Sequence, residues 1–527
     1  MEEGLNNILE ELEEYWYASK PKPIVQPEFT MIRCPIHGII KLDWYQKYII
    51  DQPFFQRLRG ISQLGFSNLI YPGAIHTRFE HSIGVSHLAD LLFNVLKNNL
   101  ILNDYNIELT ESDLIELKIA ALFHDIGHLP MSHSSEIIFK RIESESKKIE
   151  SIQKTIFNDI KIDVNPHEVL STWLISTEYI NEIIREIERF EGELRSSEIS
   201  IRPENIRNMI VGLPPNNPNK SFLSNILHGE IDVDRMDYLL RDAHHTGVPH
   251  GQIDLTYLLS TLCLIPDPRN KENLIIGVMK KGIQSVLALL SSRATMYPTV
   301  YQHHTSRIAE EMYIRALSYA TINNKFDCLN LLKYTNEQIL NYLIKIKGLP
   351  TDLIGRIIRR DLYKRSCVYS FNSKIIEKKE KKDEYNLKLK IDPMLLKLNS
   401  FGKFENIIKM ESVIAREIGI PEDYTIIFAI SKIPNFSNFE KKYNFYVKEQ
   451  EIEEYYHIKD ISFLVPAIQM ENFFNWKLQI CCPMKYIKSL QDYLEDNTPF
   501  SQLNSDQISK IEYGRGNSTN YKKKEFK

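Results

Sequence analysis

Four short stretches concentrate side chains that bind metals or move protons: HTRFEHS (76–82), FHDIGHLPMSH (123–133), NPHE (165–168) and DVDRMDYLLRDAHH (232–245). His124 and Asp125 are adjacent at the end of an otherwise apolar helical run, KIAALFHDIGH, and His128 follows one turn after His124, so both rings can face one pocket. Buried carboxylates and imidazoles need a metal ion or hydrogen bonds to satisfy them. A mixed nitrogen and oxygen set suits Fe, Mn, Zn or Ni, whereas Mg prefers oxygen. An isolated His-Asp doublet is also what a helix C-terminus selects; its company turns the reading toward a metal.

His81 follows Glu80 early in a helix and offers another imidazole, although a lone histidine there, like His87, is more often structural. Asp234, Tyr238, Asp242 and His245 fall at i, i+4, i+8 and i+11, one helical stripe, with Met236, Leu239, Leu240 and Ala243 on other faces. A solvated face explains a polar stripe but does not favour a tyrosine and a histidine among apolar neighbours. His167 and Glu168 also read as a helix start, where Glu complements the dipole. Arg293 and Tyr297 are one turn apart, and Tyr301 follows Pro298, a residue that kinks helices. Arg293 suits phosphate oxygens or a surface salt bridge.

These side chains need helices to place them. The pattern reads as helical from Met31 to about His133, with Ile83, Leu88, Leu91, Leu92 and Val95 recurring at three- and four-residue intervals and a second helix over Glu111–His124 stopped by Gly127 and Pro130. Residues 141–163 and 186–220 read as partly helical surface insertions. Helical pattern resumes over Ser224–Leu240 and Gln284–Ala320 and on to about Lys364. EKKEKKDE (377–384) marks a boundary, after which YTIIFAIS, YNFYV, ISFLVP and WKLQICCP have strand texture; KKKEFK ends the chain as a frayed tail. The expected class is mainly α: an N-terminal helical segment (1–30), a helical core (31–370) and a smaller α/β module (371–527).

Composition narrows the function. With 527 residues, 43% hydrophobic and 25% charged, the chain reads as globular, and its net charge of −4 gives no bulk drive toward DNA or an anionic membrane. A small anionic ligand fits better than long nucleic acid. The six cysteines are scattered without a CxxC pair, which suits a reducing cytoplasm; the N-terminus is acidic, and no apolar run of about 18 residues occurs.

The stretches CPIHGIIKL, IIDQPFFQRLRGISQLG, YPGAIHTRFEHSIGVSHLA, FHDIGHLPMSH and DVDRMDYLLRDAHHTGV, in this order, resemble the HD-domain deoxynucleoside triphosphate triphosphohydrolases, particularly the branch with a sterile-alpha-motif domain. The likeness runs from Met31 to about Ala320 and more loosely beyond; residues 1–30 are read as a helical segment, not a sterile-alpha-motif domain. The resemblance implies that His81, His124, Asp125 and Asp234 hold a divalent transition metal, with Mg or Mn carried by the substrate phosphates. It places His128, His133, His167 and Glu168 around the α-phosphate, where a cation-activated water attacks and His133 protonates the departing 5′ oxygen. It assigns phosphate to Arg78, Arg235 and Arg293, the α-phosphate and sugar to Tyr238, the 3′-hydroxyl to Gln63 and Asp242, and the 2′ carbon to Leu64 and Tyr301.

Arg235 and Tyr297 stand where the family pattern has lysine and histidine, so phosphate and base contacts are expected to differ. Asp51, Gln56 and Arg59 match the guanine-reading part of an allosteric site, although the lysine expected near Thr30 is absent. The resemblance thus implies deoxynucleoside triphosphate substrates, a nucleotide effector and a homo-oligomer, dimer or tetramer, without membrane association. Two purposes fit, nucleotide-pool control and starvation of phage replication. The rival expectations are an HD phosphohydrolase on another nucleotide or nucleic-acid phosphate ester, or an inactive nucleotide-binding regulator. Either Asp125→Ala or Asp234→Ala is expected to abolish turnover with the fold largely intact.

Overall fold

In the computed structural model, the described residues are 2–23, 29–370 except 104, 159, 161 and 269, and the segments 376–377, 388–389, 404–421, 427–430, 445–449, 454–465, 467–468 and 477–496. Most of the EKKEKKDE run and the KKKEFK tail lie outside them. The described residues of Met1–Arg360 and Asn435–Asn472 form one unit, and those of Asp361–Pro434 and Phe473–Lys527 a second.

In the first unit, alternating burial in TMIRC and GIIKL makes a hairpin, not the expected helix: β1 (Thr30–Cys34) pairs antiparallel with β2 (Gly38–Leu42). Gly38 closes the turn at a φ of 71°, which glycine adopts without steric cost. Strands this short carry too few residues for their two-residue period to stand out from helical neighbours.

The helices that matter for the site are α1 (Glu2–Ala18), α2 (Trp44–Ile50), α3 (Arg78–Leu102), α4 (Glu111–Phe123), α5 (His133–Arg141), α6 (Glu143–Phe157), α7 (Pro166–Ile175), α8 (Glu178–Arg195), α9 (Pro203–Ile210), α10 (Val233–Thr246), α11 (Ile283–Met296) and α12 (His304–Ile322). Thr77 and Glu80 form the capping box that starts α3, and Thr110 with Asp113 starts α4. The two helices pack together, with Val85, Leu88 and Leu92 of α3 and Leu117, Ala120 and Ala121 of α4 all buried, and α10 lies against α3. That packing carries the four polar stretches to one place.

The stretches read as surface insertions also build the core. Ile152 and Phe157 of α6, Ile187 of α8 and Ile206, Met209 and Ile210 of α9 are buried. Their apolar stripes are diluted by the charged residues of the outer faces, so composition alone made them look solvated.

A sheet of order β8-β7-β4-β3 completes this unit, from β3 (Leu262–Asp267), β4 (Asn270–Met279), β7 (Tyr446–Lys448) and β8 (Tyr455–His457); β7 runs parallel to β4, Val447 opposite Val278. Tyr446 and Val447 of YNFYV, expected in the C-terminal module, therefore belong to a strand that pairs with one more than a hundred residues earlier, and Ile461, Leu464 and Val465 of ISFLVP are helical. The second unit has an antiparallel sheet with β9 (Lys477–Cys482) between β5 (Lys364–Ser370) and β6 (Ile427–Ile430), flanked by helices Phe404–Glu417 and Ile487–Asp496. Among the described residues, no helix is long and apolar enough to cross a membrane.

Candidate metal centre and histidine group

His81 comes from the first turn of α3, His124 caps α4, Asp125 and His128 sit in the turn that follows, and Asp234 lies in the first turn of α10. Donor atoms of His81, His124 and Asp125 all lie within 4.8 Å of one another. His81 Nε2 is 2.9 Å from Asp234 Oδ1 and 3.6 Å from Asp125 Oδ2; His124 Nε2 is 3.4 Å from Asp125 Oδ1 and 3.9 Å from Asp234 Oδ1. Short as these approaches are, neither Nε2 is in hydrogen-bond geometry with any partner.

The opposite ring nitrogens are engaged. His81 Nδ1 is 2.7 Å from Asp237 Oδ2, and His124 Nδ1 donates to the Ala121 carbonyl at 2.7 Å. Pinning Nδ1–H in this way turns the Nε2 lone pair toward the pocket, as metal-binding imidazoles require. Two unpartnered Nε2 atoms facing two carboxylates fit a divalent transition metal. The charge balance fits too: burial opposes a charge on His81, yet Asp234 and Asp237 push it up to about 10, which marks the pocket as anionic.

The His-Asp turn is held from beneath. Arg57, whose guanidinium burial pushes down to about 10, donates to the carbonyls of Ile126 (2.9 Å), His128 (2.7 Å) and Tyr334 (3.3 Å). Gly127 packs so closely on α7 that a Cβ there would overlap the Ser171 and His167 backbone. Met131 and Ser132 have φ of 59° and 51°, a strain of about 1–3 kcal/mol each. Met131 N donating to Asn336 (2.8 Å) and Ser132 Oγ donating to the Ser62 carbonyl (2.6 Å) hold them there.

Beside this centre, His128, His133 and His167 gather around Glu136, which sequence reasoning missed. Their Nδ1 atoms lie 3.2, 3.1 and 3.0 Å from Glu136 Oε1, and the His128 and His167 rings stack at 3.9 Å. His128 Nε2 is 3.2 Å from Asp125 Oδ1, so this ring bridges the two groups. Glu168 does not join the histidines. It closes the capping box of α7, accepting from Asn165 N at 2.6 Å, and meets His228 Nδ1 at 3.1 Å. The signal for Glu136 was its position three residues after His133, one turn along the same face.

Burial opposes charge at His167, but Glu136 outweighs it and pushes the imidazole up to about 9; His128, wholly buried beside Arg78 and His167, is pushed down to about 4. Because the His167 value is raised above the unfolded 6.5, its contribution to stability is complete below pH 6.5 and is lost as pH rises through about 9. Thermal unfolding of the cation-free protein is expected to show a midpoint that falls across this window and a shallower fall in His167→Gln; equal slopes would remove the His167–Glu136 pairing.

The substrate residues predicted from sequence divide. Asp242 is buried between His76 Nε2 and the Tyr301 hydroxyl, both at 2.8 Å, and Tyr238 lies 6.2 Å from the Tyr301 ring. Gln63 is buried with Oε1 unpartnered, and Leu64 beside it is half-buried. Tyr297 and Tyr301 bound a π-helical turn opened by Pro298, and Arg293 lies over the Tyr297 ring at 5.6 Å. Arg78 is drawn into the metal centre, with NH1 2.9 Å from Asp125 Oδ2; burial would raise the Asp125 carboxyl, but Arg78 and the histidines hold it well below the carboxylate range. Arg235 meets Asp232 at 3.1 Å and donates to the Gly229 carbonyl. Gln56 and Arg59 bond each other at 2.8 Å, while Asp51 pairs with Lys47.

Residues 78–242 match the HD domain model and residues 253–392 the HD associated region. The chain is 29% identical over 469 residues to an uncharacterized protein of Methanocaldococcus jannaschii, covering 88% of this chain and 81% of that one. It is 29% identical over 330 residues to the deoxynucleoside triphosphate triphosphohydrolase SAMHD1 of Homo sapiens, covering 60% of this chain and 50% of the relative, so it spans about half of that protein's length. A hypothetical protein from Aquifex aeolicus shares the fold at a TM-score of 0.60 and 23% identity, over 88% of this chain and all of that one.

Proposed function

Since the chain belongs to the HD-domain hydrolase superfamily, carrying an HD domain and its associated region, we propose that it hydrolyses deoxynucleoside triphosphates to deoxynucleoside and tripolyphosphate. The observation that carries this is the convergence of His81, His124, Asp125 and Asp234 with both Nε2 atoms unpartnered, directly beside a histidine group able to deliver a proton. The activity named for the SAMHD1 relatives supplies the substrate class.

His81, His124, Asp125 and Asp234 are the residues that would hold the divalent cation. Such a cation lowers the pKa of water and polarises a phosphoryl oxygen. The rest falls to the protein. His133 uses Nδ1 on Glu136, which leaves Nε2 for the departing 5′ oxygen, and its side chain is 65% exposed where a substrate can reach it. His167, kept protonated by Glu136, and neutral His128 supply a donor and an acceptor behind it. Arg235 and Arg293 neutralise phosphate charge, while Asp242, oriented by His76 and Tyr301, accepts the 3′-hydroxyl. Arg78 in this reading serves the site by balancing Asp125.

The test is product analysis. Cation-replete protein is incubated with the four deoxynucleoside triphosphates, singly and mixed, and is expected to release deoxynucleoside and intact tripolyphosphate in one step. Release of pyrophosphate or single phosphates, or nucleotide binding without turnover under Mn, Mg, Co or Fe, rejects this activity in favour of another phosphate ester or a regulatory role.

A further inference from the structure

The histidine group holds more nitrogen than its carboxylate can use. Glu136 Oε1 faces three Nδ1 atoms at 3.0–3.2 Å, but a carboxylate oxygen has two in-plane lone pairs, and only His133 and His167 meet it in hydrogen-bond geometry. His128 Nδ1, on a side chain with no exposed surface, is left without a hydrogen-bond partner. An unsatisfied buried polar atom costs about 1–3 kcal/mol.

We propose that His128, His133, Glu136 and His167 form a second cation site, separate from the one at His81, His124, Asp125 and Asp234, which takes a divalent transition metal of the zinc class. The four donor atoms lie within 4.8 Å of one another. Tetrahedral ligands at about 2.0–2.1 Å from zinc are about 3.3 Å apart, so the observed nitrogen-to-oxygen spacings of 3.0–3.2 Å need to open by only a few tenths of an ångström. Stacking of the His128 and His167 rings at 12° sets their Nδ1 atoms side by side, and His133 and Glu136 share one face of α5. Three imidazole nitrogens and one carboxylate oxygen select zinc, nickel or manganese over magnesium. Three of the four side chains are at most 9% exposed, while His133 at 65% provides the route in.

The site has a consequence for the activity, and this part rests on the hydrolase reading. A cation on the three Nδ1 atoms releases to solvent the protons that Glu136 accepts from His133 and His167 and leaves His133 a neutral, cation-bound ring whose Nε2–H is a far weaker acid than an imidazolium, so filling the site slows proton delivery to the departing oxygen. Zinc beyond the first equivalent is then an inhibitor.

Equilibrium dialysis of the chelator-stripped full chain against zinc, with elemental analysis, decides the matter, and Co(II) absorption gives an independent spectroscopic readout. The native chain is expected to take up a second, weaker equivalent. His133→Ala, a change at an exposed position, and Glu136→Gln are expected to lose it and keep the first; the drop in affinity should exceed the about 10–100-fold cost of losing an outer-shell partner. Asp234→Asn is expected to lose the first equivalent and keep the second. Uptake that stops at one equivalent in the native chain, or a second equivalent that survives in both His133→Ala and Glu136→Gln, overturns the site. A bound second equivalent with undiminished turnover overturns the inhibition alone. If no deoxynucleoside triphosphate is hydrolysed under any metal, the activity reading fails while the zinc stoichiometry still judges the site.

Discussion

Asp234→Ala is expected to lower turnover by on the order of 10³-fold or more, since a catalytic cation is worth several kcal/mol, and to lose the bound cation while the melting temperature of the cation-free protein barely moves. The Asp234 side chain is 35% exposed in the first turn of α10, and its contacts in the pocket are the two Nε2 atoms of His81 and His124. Its removal takes a ligand without stranding a buried charge; the remaining loss is the dipole complement of a helix start, at most about 1 kcal/mol.

Asp125→Ala behaves differently, although in sequence the two aspartates looked equivalent as probes. Its carboxylate is 2% exposed and paired with buried Arg78, so truncation leaves a guanidinium uncompensated and costs about 3–5 kcal/mol in addition to the metal site. Turnover, cation content and thermal unfolding measured together separate the two variants. Near-native turnover in Asp234→Ala with its cation retained would reject the assigned ligand set.

Asp237→Ala is expected to be the more damaging change to the fold. This carboxylate has no exposed surface and serves three partners: His37 Nε2 at 2.6 Å, His81 Nδ1 at 2.7 Å and the fully buried Arg241 at 2.8 Å through both Nε and NH2. Gly84 of α3 leaves the room for it, since a Cβ there would overlap both the Asp237 carboxylate and Arg241. Truncation leaves the buried Arg241 with Glu80 at 3.4 Å as its remaining carboxylate, and losing the closer partner costs about 3–5 kcal/mol, a large part of the roughly 5–15 kcal/mol that keeps a protein folded. Asp237→Asn preserves shape but loses the charge that orients His81, so cation affinity is expected to fall about 10–100-fold. Denaturant titration reads the first effect and metal competition the second; a loss of less than about 1 kcal/mol in Asp237→Ala would show that Glu80 alone satisfies Arg241.

Several features of the site were legible in the one-dimensional pattern, each for a local reason. His124, Asp125 and His128 announced themselves because such side chains are expensive to leave unsatisfied at the end of the apolar run KIAALF. His167 and Glu168 read as a helix start, and Glu168 does sit there, in a capping box with Asn165 and away from Glu136 and its histidines. The mainly helical class followed from periodicity in the same way. The hairpin at 30–42 escaped because its strands are too short to show a period, and the pairing of β7 with β4 because a strand's partner can lie anywhere along the chain.

What tertiary structure alone decided is who meets whom. Spacing along a helix determines the face a side chain occupies, since that is set by the pitch of its own backbone. The partner of a charged group depends instead on which distant segment packing brings within about 3 Å. His167 finds Glu136 across 31 residues, Arg57 finds the His128 carbonyl across 71 and His81 finds Asp237 across 156. Those meetings set the protonation of His167 and His128 and the orientation of His81, and no local pattern encodes them.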